Sequence, residues 1–157
     1  HISEEQLNWL KSQLASYKSK PTLIFFHAPL KGTLTGSNQD ANDPADMAQP
    51  IPEIRQLIID NPQIFLWFSG HTHLVPTNSN FNHPVNVYEK RVLNIHNPDM
   101  SGDSYLKETD IKTKVHEDMW TNSLFLFSSK VVVKTYDHKK GAWIESLTRE
   151  INLPKID

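Results

Sequence analysis

Two short apolar segments, each followed by histidine, decide the fold of this chain. The first reads Thr-Leu-Ile-Phe-Phe-His-Ala-Pro-Leu at residues 22–30, and the second reads Ile-Phe-Leu-Trp-Phe-Ser-Gly-His-Thr-His at residues 64–73. Continuous runs of β-branched and aromatic side chains are typical of strands that are buried on both faces of a sheet. We therefore predict one buried strand at 22–26 and a second at 64–68.

Helical patterns precede and separate these strands. Apolar residues at helical spacing predict a helix from residue 4 to about 18, which begins with the capping box Ser3-Glu4-Glu5-Gln6. A second helix is predicted from Pro52, a residue that suits the first turn, to Asn61. A strand, a helix and a strand in succession form a βαβ unit, whose strands should be parallel with a right-handed crossover. The predicted fold class is therefore α/β.

The rest of the chain has a different pattern. Residues 31–50 are polar and aperiodic, and a loop of this length within a compact domain is often functional. Residues 92–95 predict a short strand, whereas 97–122 are irregular and polar. Antiparallel strands are predicted at 123–127, 130–136 and 142 to about 148.

Composition excludes several classes of protein. The chain has 157 residues, a length that suits a single domain, and no apolar run approaches the ~20 residues of a membrane span. Its net charge of −2 gives no basic surface for nucleic acid. The absence of cysteine excludes disulfides, thiolate metal sites and thiol nucleophiles, but it does not fix the compartment.

Histidines occupy the ends of both apolar segments. Ligands of open α/β sheets bind outside the carboxyl ends of the strands, and neighbouring strands lie about 5 Å apart. His27, His71 and His73 are therefore expected to converge on one or two metal ions. The His-x-His spacing places both rings on one side of an extended backbone, after a sharp turn at Gly70.

Imidazole ligands favour transition ions such as Mn, Fe, Zn, Ni or Co. Two such ions bridged by a water hydrolyse phosphate esters, because they lower the pKa of the water and neutralise charge on the ester oxygens.

The other histidines that follow strands or lie in loops are expected to be structural. His96 follows the predicted short strand and is expected to be structural, and the same is expected of His83, His116 and His138 in their polar loops. The acidic segment 38–46 lacks the spacing of a calcium loop. As part of the 31–50 loop, it is instead expected to border the metal site and shape the substrate pocket.

The two segments together resemble a known family. Phe25-Phe26-His27-Ala28-Pro29-Leu30 followed by Phe68-Ser69-Gly70-His71-Thr72-His73 resembles the second half of the calcineurin-like metallophosphoesterases. Gln6-Leu7-Asn8-Trp9-Leu10 is similar to the helix that precedes the first histidine in that family.

This resemblance implies a four-layer α-β-β-α sandwich and a di-metal centre that hydrolyses phosphomonoesters or phosphodiesters. Carried over by position, His27 and His71 would bind one ion, and His73 would bind the other.

Motifs of the family's first half are absent. They are an Asp-x-His, a Gly-Asp-x-x-Asp with the bridging carboxylate, and a Gly-Asn-His-Asp/Glu with the catalytic histidine. Gly102-Asp103 is followed by Ser104-Tyr105-Leu106 and does not fit them. Residues 1–157 are therefore expected to be a single incomplete domain, the C-terminal half of the sandwich. In it, 1–73 would hold the helix and the βαβ unit with the ligands, and 74–157 the loops and antiparallel closing strands.

The leading functional prediction is a metal-dependent phosphoesterase whose catalytic histidine lies in the missing N-terminal half. The 157 residues alone are expected to bind metal weakly and to have little or no activity. Expected partners are a phosphate ester substrate and, at the exposed sheet edge, the N-terminal half or a second copy. One alternative is a non-catalytic binding or scaffold module that keeps the fold. Another is a complete small enzyme with one Zn²⁺ on His27, His71 and His73 and water in the fourth position.

Overall fold

The computed structural model describes residues 1–35, 46–100, 102–106, 111–114 and 116–156. The helices and strands in these ranges follow in chain order: α1 (Glu4–Ser16), β1 (Thr22–Phe25), α2 (Ile51–Asp60), β2 (Ile64–Ser69), a 3-10 helix (Pro84–Asn86), β3 (Val87–Tyr88), β4 (Val92–His96), β5 (Asp103–Leu106), β6 (Ile111–Lys114), β7 (Trp120–Leu126), β8 (Lys130–Asp137), β9 (Ala142–Trp143), a second 3-10 helix (Glu145–Leu147) and β10 (Arg149–Asn152). No described helix has the length and apolar character needed to cross a membrane.

Both predicted α-helices are confirmed. The capping box at the start of α1 is formed, with the Gln6 amide donating to Ser3 Oγ at 3.2 Å and the Ser3 amide donating to Gln6 Oε1 at 3.0 Å. These bonds satisfy two amide groups that the first turn of a helix leaves without partners. Helix α2 has Pro52 in its first turn and buries one apolar face.

The first sheet has the order β1-β2-β4-β3. Strand β1 is parallel to β2, as predicted, β2 is parallel to β4, and β3 is antiparallel to β4. Strand β2 is buried along its whole length. The prediction that β1 is buried on both faces is wrong, since Phe25 is 65% exposed. The reason is position: β1 lies at the edge of the sheet.

The second sheet is antiparallel, with the order β10-β8-β7 and β9 added on β8. The strand predicted at 142–148 is interrupted: β9 ends at Trp143, a 3-10 helix follows, and the chain resumes pairing with β8 as β10. The region 97–122 is less irregular than predicted, because β5 and β6 pair there and β7 begins at Trp120.

Two apolar clusters lie between three layers, which are the helices, the first sheet and the second sheet. Leu7 and Leu14 of α1 and Ile58 of α2 pack with Trp67 on one side of the first sheet. On its other side, Phe68 and Ile95 belong to a core with Val131 and Val133 of the second sheet. The α/β class is thus confirmed, with the helices on one side of the first sheet and the second sheet on the other. The fourth, helical layer of the expected sandwich is not seen in the described residues.

Candidate metal centre

The turns that follow β1 and β2 are tied together. The Gly70 amide donates to the His27 carbonyl at 2.9 Å. The indole Nε1 of Trp67 donates to the carbonyl of Ala28 at 3.1 Å. Because β1 and β2 are parallel neighbours, these bonds hold both strand ends at one edge of the sheet.

His27 and His71 meet at this edge, as the sequence predicts for them. His27 Nε2 lies 3.0 Å from His71 Nδ1, with the ring planes at 78°. Two nitrogens bound tetrahedrally to one ion at Zn–N lengths of ~2.0–2.1 Å are about 3.3 Å apart, so a small movement of the rings would let them share a metal ion. The chemistry of the pair fits as well, since neutral imidazole is a common ligand of transition ions.

The pKa of His27 is lowered from its usual value. Burial is the largest cause, because it disfavours the charged ring, and the nearby rings of His71 and then His73 lower the pKa further. A lowered pKa keeps His27 neutral, with a lone pair that can bind metal.

The backbone at the His-x-His pair is left-handed rather than extended. His71 has φ 64° and His73 has φ 47°, while Gly70 is not among the residues of positive φ. The expected extended conformation, with the turn made by Gly70, is therefore wrong. Non-glycine residues in this region cost about 1–3 kcal/mol each and cluster at functional sites.

Each ring of the pair faces a carboxylate of the chain. His71 Nε2 lies 3.3 Å from Asp46 Oδ1, and His73 Nδ1 lies 3.6 Å from Asp99 Oδ1. Asp46 belongs to the 31–50 loop that was expected to border the site, although 36–45 lie outside the described residues. Asp99 was missed. It follows β4, which is parallel to β2, so its place at the same sheet edge was the available signal.

His116 also contacts Asp99. Its Nε2 lies 3.0 Å from Asp99 Oδ2, and its Nδ1 lies 3.0 Å from the carbonyl oxygen of Asp118. The other two loop histidines have structural contacts, as expected: His83 Nδ1 accepts from the Val85 amide, and His138 Nε2 contacts Thr121 Oγ1.

Behind the site, His96 is buried and structural, as the sequence predicts. Its Nε2 donates to the Thr33 carbonyl at 3.3 Å, and its Nδ1 lies 3.4 Å from Ser69 Oγ. The pKa of His96 is lowered to about 4, chiefly by burial and further by the charge of Arg149; the bond to Thr33 opposes this shift.

Arg149 is a buried cation in the same region. Burial lowers its pKa to about 10, and its guanidinium lies 5.4 Å from the centre of the Phe81 ring. Its Nε and Nη2 have no hydrogen-bond partner among the described residues.

The convergence of all three histidines stays a prediction. His27 and His71 are in contact, whereas His73 forms an ion pair with Asp99. In the part of the chain that is described, no group of three or more His, Asp or Glu side chains is already arranged to hold a metal ion.

The chain thus has an α/β fold in which His27 and His71 meet at one edge of the first sheet. No protein-family model matches the sequence, and no curated protein matches it. In structure the chain is similar to a dimetal phosphatase from Danio rerio, with a TM-score of 0.58 and 18% sequence identity.

That similarity covers 97% of this chain but only 38% of the zebrafish protein. The chain thus spans well under half the length of the solved structure it resembles. At this identity the likeness concerns the fold: the chain has an α/β fold similar to that of a dimetal phosphatase.

Proposed function

We propose that this chain is part of a metal-dependent phosphoesterase and supplies histidine ligands to a di-metal centre. The observation that carries the proposal is the contact of His27 with His71 at the ends of two parallel strands. It occurs in a fold similar to that of a dimetal phosphatase. The positive φ angles of His71 and His73 support it, because strain of this kind is typical of functional sites.

The proposed ligands are His27 and His71 for one ion and His73 for a second. When bound, such ions supply a hydroxide nucleophile and neutralise charge on the ester oxygens. The chain's own residues hold the ions: the tied turns fix His27 against His71, and the lowered pKa of His27 keeps its ring neutral. The substrate class is a phosphomonoester or phosphodiester, and the metal pair is drawn from Mn, Fe, Zn, Ni and Co.

The proposed centre is incomplete in this chain. The sequence motifs expected for a bridging carboxylate and a catalytic histidine are absent from residues 1–157. We therefore propose that the N-terminal half of the domain completes the centre and that the chain alone hydrolyses phosphate esters poorly.

A titration with Co²⁺, followed by visible absorption, tests the metal site in the 157-residue chain. We expect one weakly bound ion, lost in His27→Ala and in His71→Ala. His138→Ala is the matched control, because His138 contacts Thr121 and not the proposed ligands. Its affinity should equal that of the wild type.

Two results would contradict the proposal in different ways. No Co²⁺ binding at all favours the scaffold module. Tight binding of one ion together with rapid hydrolysis of p-nitrophenyl phosphate favours the complete single-zinc enzyme.

A further inference from the structure

Two carboxylates back the two rings of the His71-Thr72-His73 segment. Asp46 Oδ1 lies 3.3 Å from His71 Nε2, whereas the other nitrogen of this ring, Nδ1, lies 3.0 Å from His27 Nε2. Asp99 Oδ1 lies 3.6 Å from His73 Nδ1, which is the distance of an ion pair rather than of a hydrogen bond. The carboxylates therefore face opposite nitrogens of the two rings.

A neutral imidazole carries a proton on one nitrogen and a lone pair on the other. An ionised carboxylate can accept hydrogen bonds but cannot donate them. It therefore favours the imidazole tautomer whose proton lies on the nitrogen that faces the carboxylate. We propose that Asp46 and Asp99 are positioning residues that select Nδ1 of His71 and Nε2 of His73 as the metal-binding atoms. This inference rests on the proposed function, because it assigns ligand atoms to the same metal centre.

Asp99 is itself held in place. Its side chain is 4% exposed. Its Oδ2 accepts from the Gly102 amide at 3.1 Å and lies 3.0 Å from His116 Nε2. With these two contacts on Oδ2, the carboxylate presents Oδ1 to His73. Buried carboxylates with fixed partners are the usual means of orienting a metal-binding histidine.

The enclosure of Asp99 depends on glycine at position 102. Gly102 has φ 68°, and a Cβ atom there would lie 2.0 Å from the carbonyl oxygen of His116. The ring of His116 also packs against that of Trp120, with centroids 5.0 Å apart. The backbone thus brings the Gly102 amide and the His116 ring to the same carboxylate oxygen.

Asp46 is less enclosed, since its side chain is 32% exposed. Solvent weakens its hold on His71, so we expect the effect of Asp99 on metal binding to be the larger.

Nitrogen-15 NMR of the histidine rings in the metal-free chain tests the assignment directly. We expect His71 to carry its proton on Nε2 and His73 to carry its proton on Nδ1. Asp99→Asn should shift His73 toward the other tautomer, because the negative charge is removed. A wild-type His73 with its proton on Nε2, or a tautomer unchanged in Asp99→Asn, would overturn the proposal.

Cobalt affinity provides a second readout. Loss of the partner of a metal-binding histidine lowers affinity by about 10–100-fold, and we expect this for Asp99→Asn, with a smaller loss for Asp46→Asn. Asp60→Asn is the matched control, because Asp60 accepts from Gln56 on α2. It should leave the affinity unchanged.

His116→Phe guards against a folding defect in Asp99→Asn. It keeps the carboxylate but removes one of its contacts, so an intermediate loss of affinity is expected. Unchanged affinity in His116→Phe, if Asp99→Asn fails to fold, contradicts the proposal. Loss of far more than 100-fold in Asp99→Asn, with a changed cobalt spectrum, would make Asp99 a ligand and overturn its positioning role.

The two proposals fail separately. A chain that binds no cobalt but shows the expected tautomers refutes the metal centre and keeps the orientation of the rings. A chain that binds cobalt with the opposite tautomers keeps the metal centre and refutes the role of Asp46 and Asp99.

Discussion

His96 couples the stability of this chain to pH. The ring is fully buried and hydrogen-bonded as a neutral imidazole, with Arg149 as the neighbouring charge that acts on it. Its pKa of about 4 in the folded chain compares with a usual value of 6.5. Because the folded pKa is the lower one, the neutral ring stabilises the fold fully above pH 6.5. This contribution is lost as pH falls toward 4.

We predict that the free energy of unfolding decreases by about 3 kcal/mol on account of His96 between pH 6.5 and 4. Urea unfolding at a series of pH values measures it. His96→Gln should flatten the pH dependence, whereas His138→Gln, in an exposed contact with Thr121, should not. Equal slopes in the wild type and His96→Gln would show that other groups control acid stability.

Among the elements, Arg91 connects the end of α2 to the start of β2. Its guanidinium donates to the carbonyl of Pro62 at 3.1 Å and to the carbonyls of Ile58 and Ile64. Burial lowers the pKa of this side chain. A cation at the carboxyl end of a helix also offsets the partial negative charge of the last carbonyls.

Replacement of Arg91 by Met should destabilise the chain by about 2–3 kcal/mol, because three carbonyls lose a charged donor. Thermal unfolding measures the effect. Arg55→Met is the matched control: Arg55 lies on α2, but its partner is the exposed carboxylate of Glu89. Little change is expected there, and an equal loss in both variants would contradict the role assigned to Arg91.

Elements with a strong local pattern were predictable from sequence. Helices α1 and α2 each bury one face, and their helical periodicity predicts this. Strand β2 is buried at every position, and its continuous apolar run predicts this. Strand β1 has the same apolar pattern but lies at an edge, and sheet order is not a local property. The interruption after β9 was missed because the pairing of β10 depends on the position of β8, which local sequence does not give.

Some residues of the candidate site were also predictable from sequence, and others were not. His27 and His71 follow from two consecutive strands and a general rule about strand ends. Asp99 was not identified, because its position depends on β4 lying beside β2. The contact of His116 with Asp99 was not predicted either, because it requires the chain to return to Asp99 from residue 116.

At the scale of the whole molecule, the outer edge of β1 presents backbone groups that no described strand pairs with. A groove of about 540 Å³ runs between α1 and β1, lined by the exposed aromatic rings of Trp9, Tyr17 and Phe25. Unpaired edges with exposed apolar side chains are sites of association. This is the edge at which we propose that the N-terminal half or a second copy pairs.

We predict that the 157-residue chain associates through this edge as its concentration rises. Sedimentation velocity over a concentration series measures the association. Phe25→Lys should make the chain monomeric, because an edge lysine opposes strand pairing. Leu126→Lys is the control, since Leu126 is 68% exposed on the second sheet and should leave association unchanged. A wild-type chain that stays monomeric throughout would refute the self-association, and an equal effect of the two lysines would place the contact elsewhere.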